Sequence, residues 1–206
     1  MEIYSTEEQQ VEAIKKFWKE NGTAIILGAV IGLGGLWGWR YYNEQRIAGM
    51  DEASNQYQQA MQGLETDEQG FSKALEYVKA NPDNNYALLA AMQLAHQAVS
   101  RDDLNEAAKQ LEFAASKAKV PAIAAVAKLR LARVQLQLEQ YTEAMSALDG
   151  IAEDSFKAQV QELKGDIHLK QGNLDKARAA YSAALEVSSN NLLKMKLDNL
   201  PAVASV

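Results

Sequence analysis

The sequence predicts an all-α protein, with one apolar helix of membrane-spanning length near the N-terminus and three to four stacked helical hairpins after it. Three observations carry that reading. Alanine, leucine, glutamine, glutamate and lysine dominate the 206 residues, and only three prolines interrupt them; such a composition favours helix. Residues 21–39 hold no charged side chain. Further along, small and large side chains recur in one order at near-constant intervals, the mark of stacked repeats.

Hydrophobic residues make up 48% of the chain, enough to bury a core and to set aside disorder as the fate of the whole. Long alternating runs of valine, isoleucine and threonine are missing, so strands have little support. The net charge is −6, and no basic face is visible to neutralise phosphates, which argues against nucleic acid as a partner. The chain has no cysteine, which removes disulfides, thiolate metal sites and cysteine nucleophiles.

Residues 1–22 read as a short cytoplasmic tail, and 23–42 as a transmembrane signal-anchor helix. Seventeen residues, 23–39, reach roughly 26 Å as a helix, near the short limit for a bilayer core. Phe17 and Trp18 before them and Trp37, Trp39, Tyr41 and Tyr42 at the far end suit the two interfaces. Five glycines lie within the run. Each costs a water-exposed helix about 1 kcal/mol against alanine, whereas in hydrocarbon unwinding would leave backbone groups unpaired. The bulky exit, Trp37 to Tyr42, does not suit a leader-peptidase site, which needs small residues; an uncleaved signal anchor fits better. Lys15, Lys16 and Lys19 precede the span and Arg40 and Arg46 follow it, a one-residue bias toward a cytoplasmic N-terminus. Gly28, Gly32 and Gly35 fall on one stripe, a surface for close packing against another membrane helix or a second copy of the chain.

Residues 43–200 are expected to form the repeat domain. Ile47, Met50, Tyr57, Met61 and Leu64 recur at helical spacing within 40–65, predicting an amphipathic helix. It reads as a first helix packed on the repeats, or, with Ser54 in the seam, as an imperfect heptad. Residues 129–149 then align with 162–185: Ala132 with Gly165, Tyr141 with Leu174, Ala144 with Ala177, Leu148 with Tyr181. An earlier copy at 92–118 places Ala95, Leu104, Ala107, Leu111 and Ala114 correspondingly, and a fainter one has Phe71, Ala74 and Val78. Antiparallel helices meet closely only where side chains are small, hence Gly165, Ala177 and Ala184; an aromatic such as Tyr181 fills the gap to the next hairpin.

These positions resemble the tetratricopeptide repeat, which implies a right-handed solenoid of helical hairpins. Gln161 stands where that family has its early tryptophan, and Ser189 where it has its closing proline. Local signals agree with the hairpins. Asn81 and Pro82 break the chain after the first one. Asp103 with Glu106 can form a capping box, Pro121 suits a first helical turn, and Asn190 can cap a final helix that closes the stack. Residues 201–206 are expected to fray.

Little chemistry is legible. His96 and His168 each stand alone, and no paired-histidine motif or phosphate loop after a strand occurs. Neighbouring carboxylates such as Asp102 and Asp103 read as turns and caps. The expectation is a binding protein with no cofactor and no catalysis, using the concave surface that repeat stacks present. Lys128, Arg133 and Gln137 are candidates for that surface.

The N-terminus is more specific. Met1, Glu2, Ile3 and Tyr4, then residues 10–22 with Lys15, Lys16, Phe17, Trp18 and Lys19, then Gly38, Trp39, Arg40, Tyr41 and Tyr42, and finally 194–200, resemble the ancillary-subunit family of the bacterial Sec translocon. That resemblance implies a single-pass inner-membrane protein with its repeats in the periplasm. It also implies association with SecYEG subunits and a PpiD-like periplasmic folding factor, and handling of exported polypeptides. The residues alone leave open a scaffold of another envelope complex, in cell division or secretion-system assembly.

Overall fold

A computed structural model describes residues 7–201. Met1 to Thr6, with the start of the N-terminal motif, and 202–206, most of the expected frayed tail, lie outside the described residues. Among the described residues every regular element is helical, and the chain divides after residue 53 into two compact units.

The first unit is the body of helix α1 (Glu7–Met61). The helix does not stop at the tyrosines that close the apolar run. Neither proline nor a glycine–polar cluster interrupts residues 40–61, so nothing breaks the ladder. Its apolar side chains point in every direction around the axis. Ile26, Leu27, Val30, Ile31, Leu33, Leu36, Trp37 and Trp39 are all more than half exposed. A helix that is apolar all round belongs in a protein core or a bilayer, and within its own unit the described residues leave these side chains uncovered. It is long and apolar enough to cross a membrane. At its polar end Arg40 pairs with Glu44 at 2.8 Å, one turn on, and the rings of Trp37 and Tyr41 stack at 5.9 Å.

The second unit begins with the last turns of α1 and continues through α2 (Glu68–Ala80), α3 (Asn85–Ser100), α4 (Leu104–Lys117), α5 (Pro121–Gln137), α6 (Tyr141–Asp149), α7 (Lys157–Lys170), α8 (Leu174–Val187) and α9 (Asn191–Asp198). The hairpins α3/α4, α5/α6 and α7/α8 are the three complete repeats. The end of α1 with α2 precedes them, and α9 closes the stack. The amphipathic helix expected over 40–65 is shorter than its apolar pattern: α1 ends at Met61, and Leu64 is buried in the turn beyond it. There Gly63 takes a positive φ of 82°. Gly70 of α2 lies so close that a Cβ on it would meet the Gly63 backbone. Tyr57 anchors the end of α1, with its ring 6.3 Å from Tyr77 and 5.4 Å from Tyr86.

Helix α5 is the keystone of the stack. Its Ala127, Leu131 and Val134 are buried with α2, α3 and α4, while Leu129 and Ala132 are buried with α6 and α7. Two of its faces are therefore spent on neighbours, and a third stays open. A separate cluster of Ala177, Tyr181, Ala184, Leu193 and Leu200 joins α8 to the closing helix.

Each complete hairpin turns in the same way. One residue sits in the left-handed region: Asp102 (φ 62°), Glu139 (φ 60°) and Gly172 (φ 77°). The next N–H then donates back to the preceding helix: Asp103 to the Ala98 carbonyl at 2.9 Å, Gln140 to Gln135 at 2.8 Å, Asn173 to His168 at 2.8 Å. This is the paired closure that ends helices at a left-handed residue. The expected capping box is only half made. The Asp103 carboxylate accepts from the Glu106 N–H at 3.0 Å, but the Asp103 N–H is already used by Ala98. The Glu106 side chain instead holds Gln110. Pro121 opens α5 and Asn190 caps α9, as their chemistry requires.

The left-handed state costs a residue with a Cβ about 1–2 kcal/mol, partly offset by the roughly 0.5–1 kcal/mol that glycine loses in ordering. Replacing Asp102→Gly or Glu139→Gly should therefore raise stability by about 0.5–1 kcal/mol, and Gly172→Ala should lower it by about 1 kcal/mol. Urea titrations of the three variants, read by helical circular dichroism, check both signs.

Candidate protein-binding groove

The open face of α5 and the facing side of α3 border a groove of about 760 Å³. Both are first helices of consecutive hairpins, so stacking the hairpins sets them side by side. The floor is apolar: Leu64 from the turn after α1, Met92, Ala95 and Val99 from α3, Leu111 from α4 and Val134 from α5. The rim is polar and carries Gln93, His96 and Gln97 on one side, and Arg130, Arg133 and Gln137 on the other. Glu65 is the one acidic residue lining it. An apolar floor with a few polar groups around it is a surface for a peptide or a partner side-chain cluster.

Of the three residues nominated for this surface, Arg133 and Gln137 border the groove, and Lys128 does not. Lys128 donates to the Gly150 carbonyl at 2.6 Å. Lys164 of α7 likewise reaches Asp149. The two lysines place positive charge at the C-terminus of α6, where the helix dipole is negative. Helix α6 needs that support, because at 9 residues it is shorter than α4 and α8, which have 14 each. His96 sits exposed on the rim. His168 is half-buried, away from the groove, with Nδ1 at 3.4 Å from the Gln171 side-chain oxygen.

The nominated packing residues lie at the buried centre of the hairpins. Ala107, Ala132, Ala144, Ala177, Tyr181 and Ala184 are fully enclosed, and Ala95 nearly so. Gly165 is pressed against the Tyr181 ring: a Cβ there would fall 2.3 Å from the ring edge. Gly28, Gly32 and Gly35 of the first unit face open space.

A cluster that sequence reasoning missed holds the last hairpin to its cap. The Tyr181 hydroxyl donates to Asp166 at 2.7 Å. Lys196, from α9, donates to both Asp166 oxygens at 2.9 Å and to Glu162 at 2.8 Å. Glu162 and Asp166 are one turn apart on α7 and Lys196 lies 30 residues beyond, so spacing alone could not join them. Burial pushes the Tyr181 phenol upward, and its hydrogen bond to Asp166 and the nearby carboxylates push the same way. For Lys196 burial acts to lower the pKa, but the hydrogen bonds and charges of Glu162 and Asp166 outweigh it and hold the ammonium above its ordinary range.

Fold and groove together define a tetratricopeptide-like helical-repeat protein. The tetratricopeptide repeat-like domain family matches residues 15–202. Its relatives include the ancillary SecYEG translocon subunit of Escherichia coli, 37% identical over 97% of this chain and 99% of that one. The protein of the same name from Haemophilus influenzae is 33% identical over 94% and 97%, and that of Neisseria gonorrhoeae 26% over 97% and 100%. The crystal structure of MamA aligns with a TM-score of 0.48 at 20% identity, over 58% of this chain and 67% of that one. The chain belongs to the family of ancillary SecYEG translocon subunits.

Tyr181 and Lys196 both hold their protons more tightly folded than unfolded. Their contribution is therefore complete below the unfolded values near 10.0 and 10.5 and is lost as pH rises beyond them. Stability should fall from about pH 10 upward, and the fall between pH 9 and 11 should be shallower in Lys196→Met, which lacks one of the two groups. Denaturant unfolding at stepped pH, comparing the two proteins, measures the difference.

Proposed function

We propose that this protein is a membrane-tethered, non-enzymatic adaptor at the SecYEG translocon. The observation that carries the reading is its near full-length similarity to ancillary SecYEG translocon subunits, anchor and repeats alike. Residues 1–22 form a cytoplasmic tail, 23–42 span the inner membrane as an uncleaved anchor, and 43–200 stand in the periplasm. The repeat domain engages other proteins there: a PpiD-like folding factor, and exported chains as they emerge. The groove between α3 and α5 supports this role, being apolar below and polar above. The stripe of Gly28, Gly32 and Gly35 is the surface on which the anchor would pack against a translocon helix.

Two measurements test the reading. A photo-reactive side chain at Gln137 or Trp37, activated in native membranes, should yield adducts with Sec subunits; adducts with division or secretin components alone would refute the proposal. Because the chain has no cysteine, orientation can be read from single substitutions. Asn55→Cys should react with a membrane-impermeant maleimide in intact spheroplasts, and Asn21→Cys only after lysis. The reverse pattern would overturn the assigned topology.

A further inference from the structure

The chemistry of the groove specifies what it holds. The chain contains six arginines. Among the described residues, four of them have a hydrogen-bonding partner within the chain. Arg40 meets Glu44, Arg46 meets Asn43, Arg101 meets Glu68, and Arg178 meets the Pro201 carbonyl. The two that make no such bond, Arg130 and Arg133, both line the groove. They stand on a face of α5 that neither neighbouring cluster uses, beside the apolar floor of Leu64, Met92, Leu111 and Val134. The chain carries a net charge of −6, so two unpaired guanidinium groups over an apolar floor run against the charge of the whole.

We infer that the groove between α3 and α5 receives an amphipathic peptide segment of a partner protein that carries carboxylate side chains. Its apolar side seats on the floor, and its carboxylates meet Arg130 and Arg133. Guanidinium is suited to this task because it binds carboxylates through two parallel hydrogen bonds. Apolar burial supplies attraction without selecting sequence, and the arginine rim selects acidic over basic segments. The inference rests on the adaptor reading and adds the partner's chemistry to it.

The test uses the full-length protein in zwitterionic lipid nanodiscs, with empty nanodiscs as blank. The probes are three labelled peptides of about twelve residues. They share one apolar pattern at helical spacing, and their polar positions are all Glu, all Gln or all Lys. Anisotropy titrations at low salt should show the Glu peptide binding roughly five- to tenfold tighter than the Gln peptide. The Lys peptide should bind weakest, although a general field of −6 would favour it. The gap between Glu and Gln peptides should close near 1 M salt.

The double change Arg130→Gln, Arg133→Gln should remove that gap and leave the Gln peptide's affinity unchanged. Glu65→Gln, which deletes the one acidic group of the lining, should tighten the Glu peptide about two- to threefold and serves if the double variant does not fold. Equal binding of the three peptides, a preference for Lys, or a Glu preference that survives the double change overturns the inference. So does a change in oligomeric mass in the double variant, since the occupant would then be a second copy of this chain. Loss of the peptide preference with Sec adducts retained defeats only this inference. Absence of Sec adducts with the preference intact defeats only the adaptor reading.

Discussion

The structure of the repeat unit depends on one recurring pairing of positions: a small residue on the first helix of a hairpin and a large one sixteen residues later on the second, buried in the same hairpin and in direct contact at Gly165 and Tyr181. The pairs are Ala95 with Leu111, Ala132 with Leu148, and Gly165 with Tyr181. Each pair is buried within its hairpin. The sizes compensate. Where the second residue is leucine the first is alanine, and where it is tyrosine the first has no side chain at all. Two helices can approach only as far as their contact residues allow, so this pairing sets the spacing of every hairpin, and the spacing sets where the next one stacks. Protein interiors are packed too densely to absorb an unmatched methyl group there without a shift of neighbours.

The groove is a consequence of that stacking. Helix α5 is clamped on two faces by clusters belonging to different hairpins, which leaves its third face turned toward α3. Arg130, Arg133 and Gln137 occupy that face because the pattern 127, 131, 134 is spent on one neighbour and 129, 132 on the other. The groove is thus bordered by residues that neither buried cluster uses. At the far end the same economy is closed by charge: Lys196 of α9 lies between Glu162 and Asp166 of α7 and holds the cap over the Tyr181 ring, 5.9 Å away.

Much of this was legible in the sequence, because the determinants are local or periodic. The apolar run, the recurring small residues, and the caps at Asn190 and Pro121 each act within a few turns of themselves. What was not legible depends on contacts across the chain or on conformations that composition does not reveal. Gly172 announced its turn, whereas Asp102 and Glu139 adopt the same left-handed state with side chains that rarely do. Lys128 looked like a groove residue until the short α6 placed the Gly150 carbonyl within its reach. The carboxyl end of the amphipathic pattern, Leu64, obeys helical spacing and yet lies outside the helix, because Gly63 turns the chain and Gly70 lets α2 pass close by. The Glu162, Asp166 and Lys196 cluster joins helices that are neighbours only after folding.

The most direct test of the size-matched pairing is a double-mutant cycle on Gly165 and Tyr181, with unfolding free energies of the wild type, Gly165→Ala, Tyr181→Leu and the double variant. Gly165→Ala alone should destabilise by about 1–3 kcal/mol through overpacking against the ring, despite alanine's better helix propensity. With leucine at 181 the same methyl group should be tolerated, as it is at Ala132 opposite Leu148, giving a favourable coupling of at least about 1 kcal/mol. Additive effects, with the alanine costing as much beside leucine as beside tyrosine, would contradict the account.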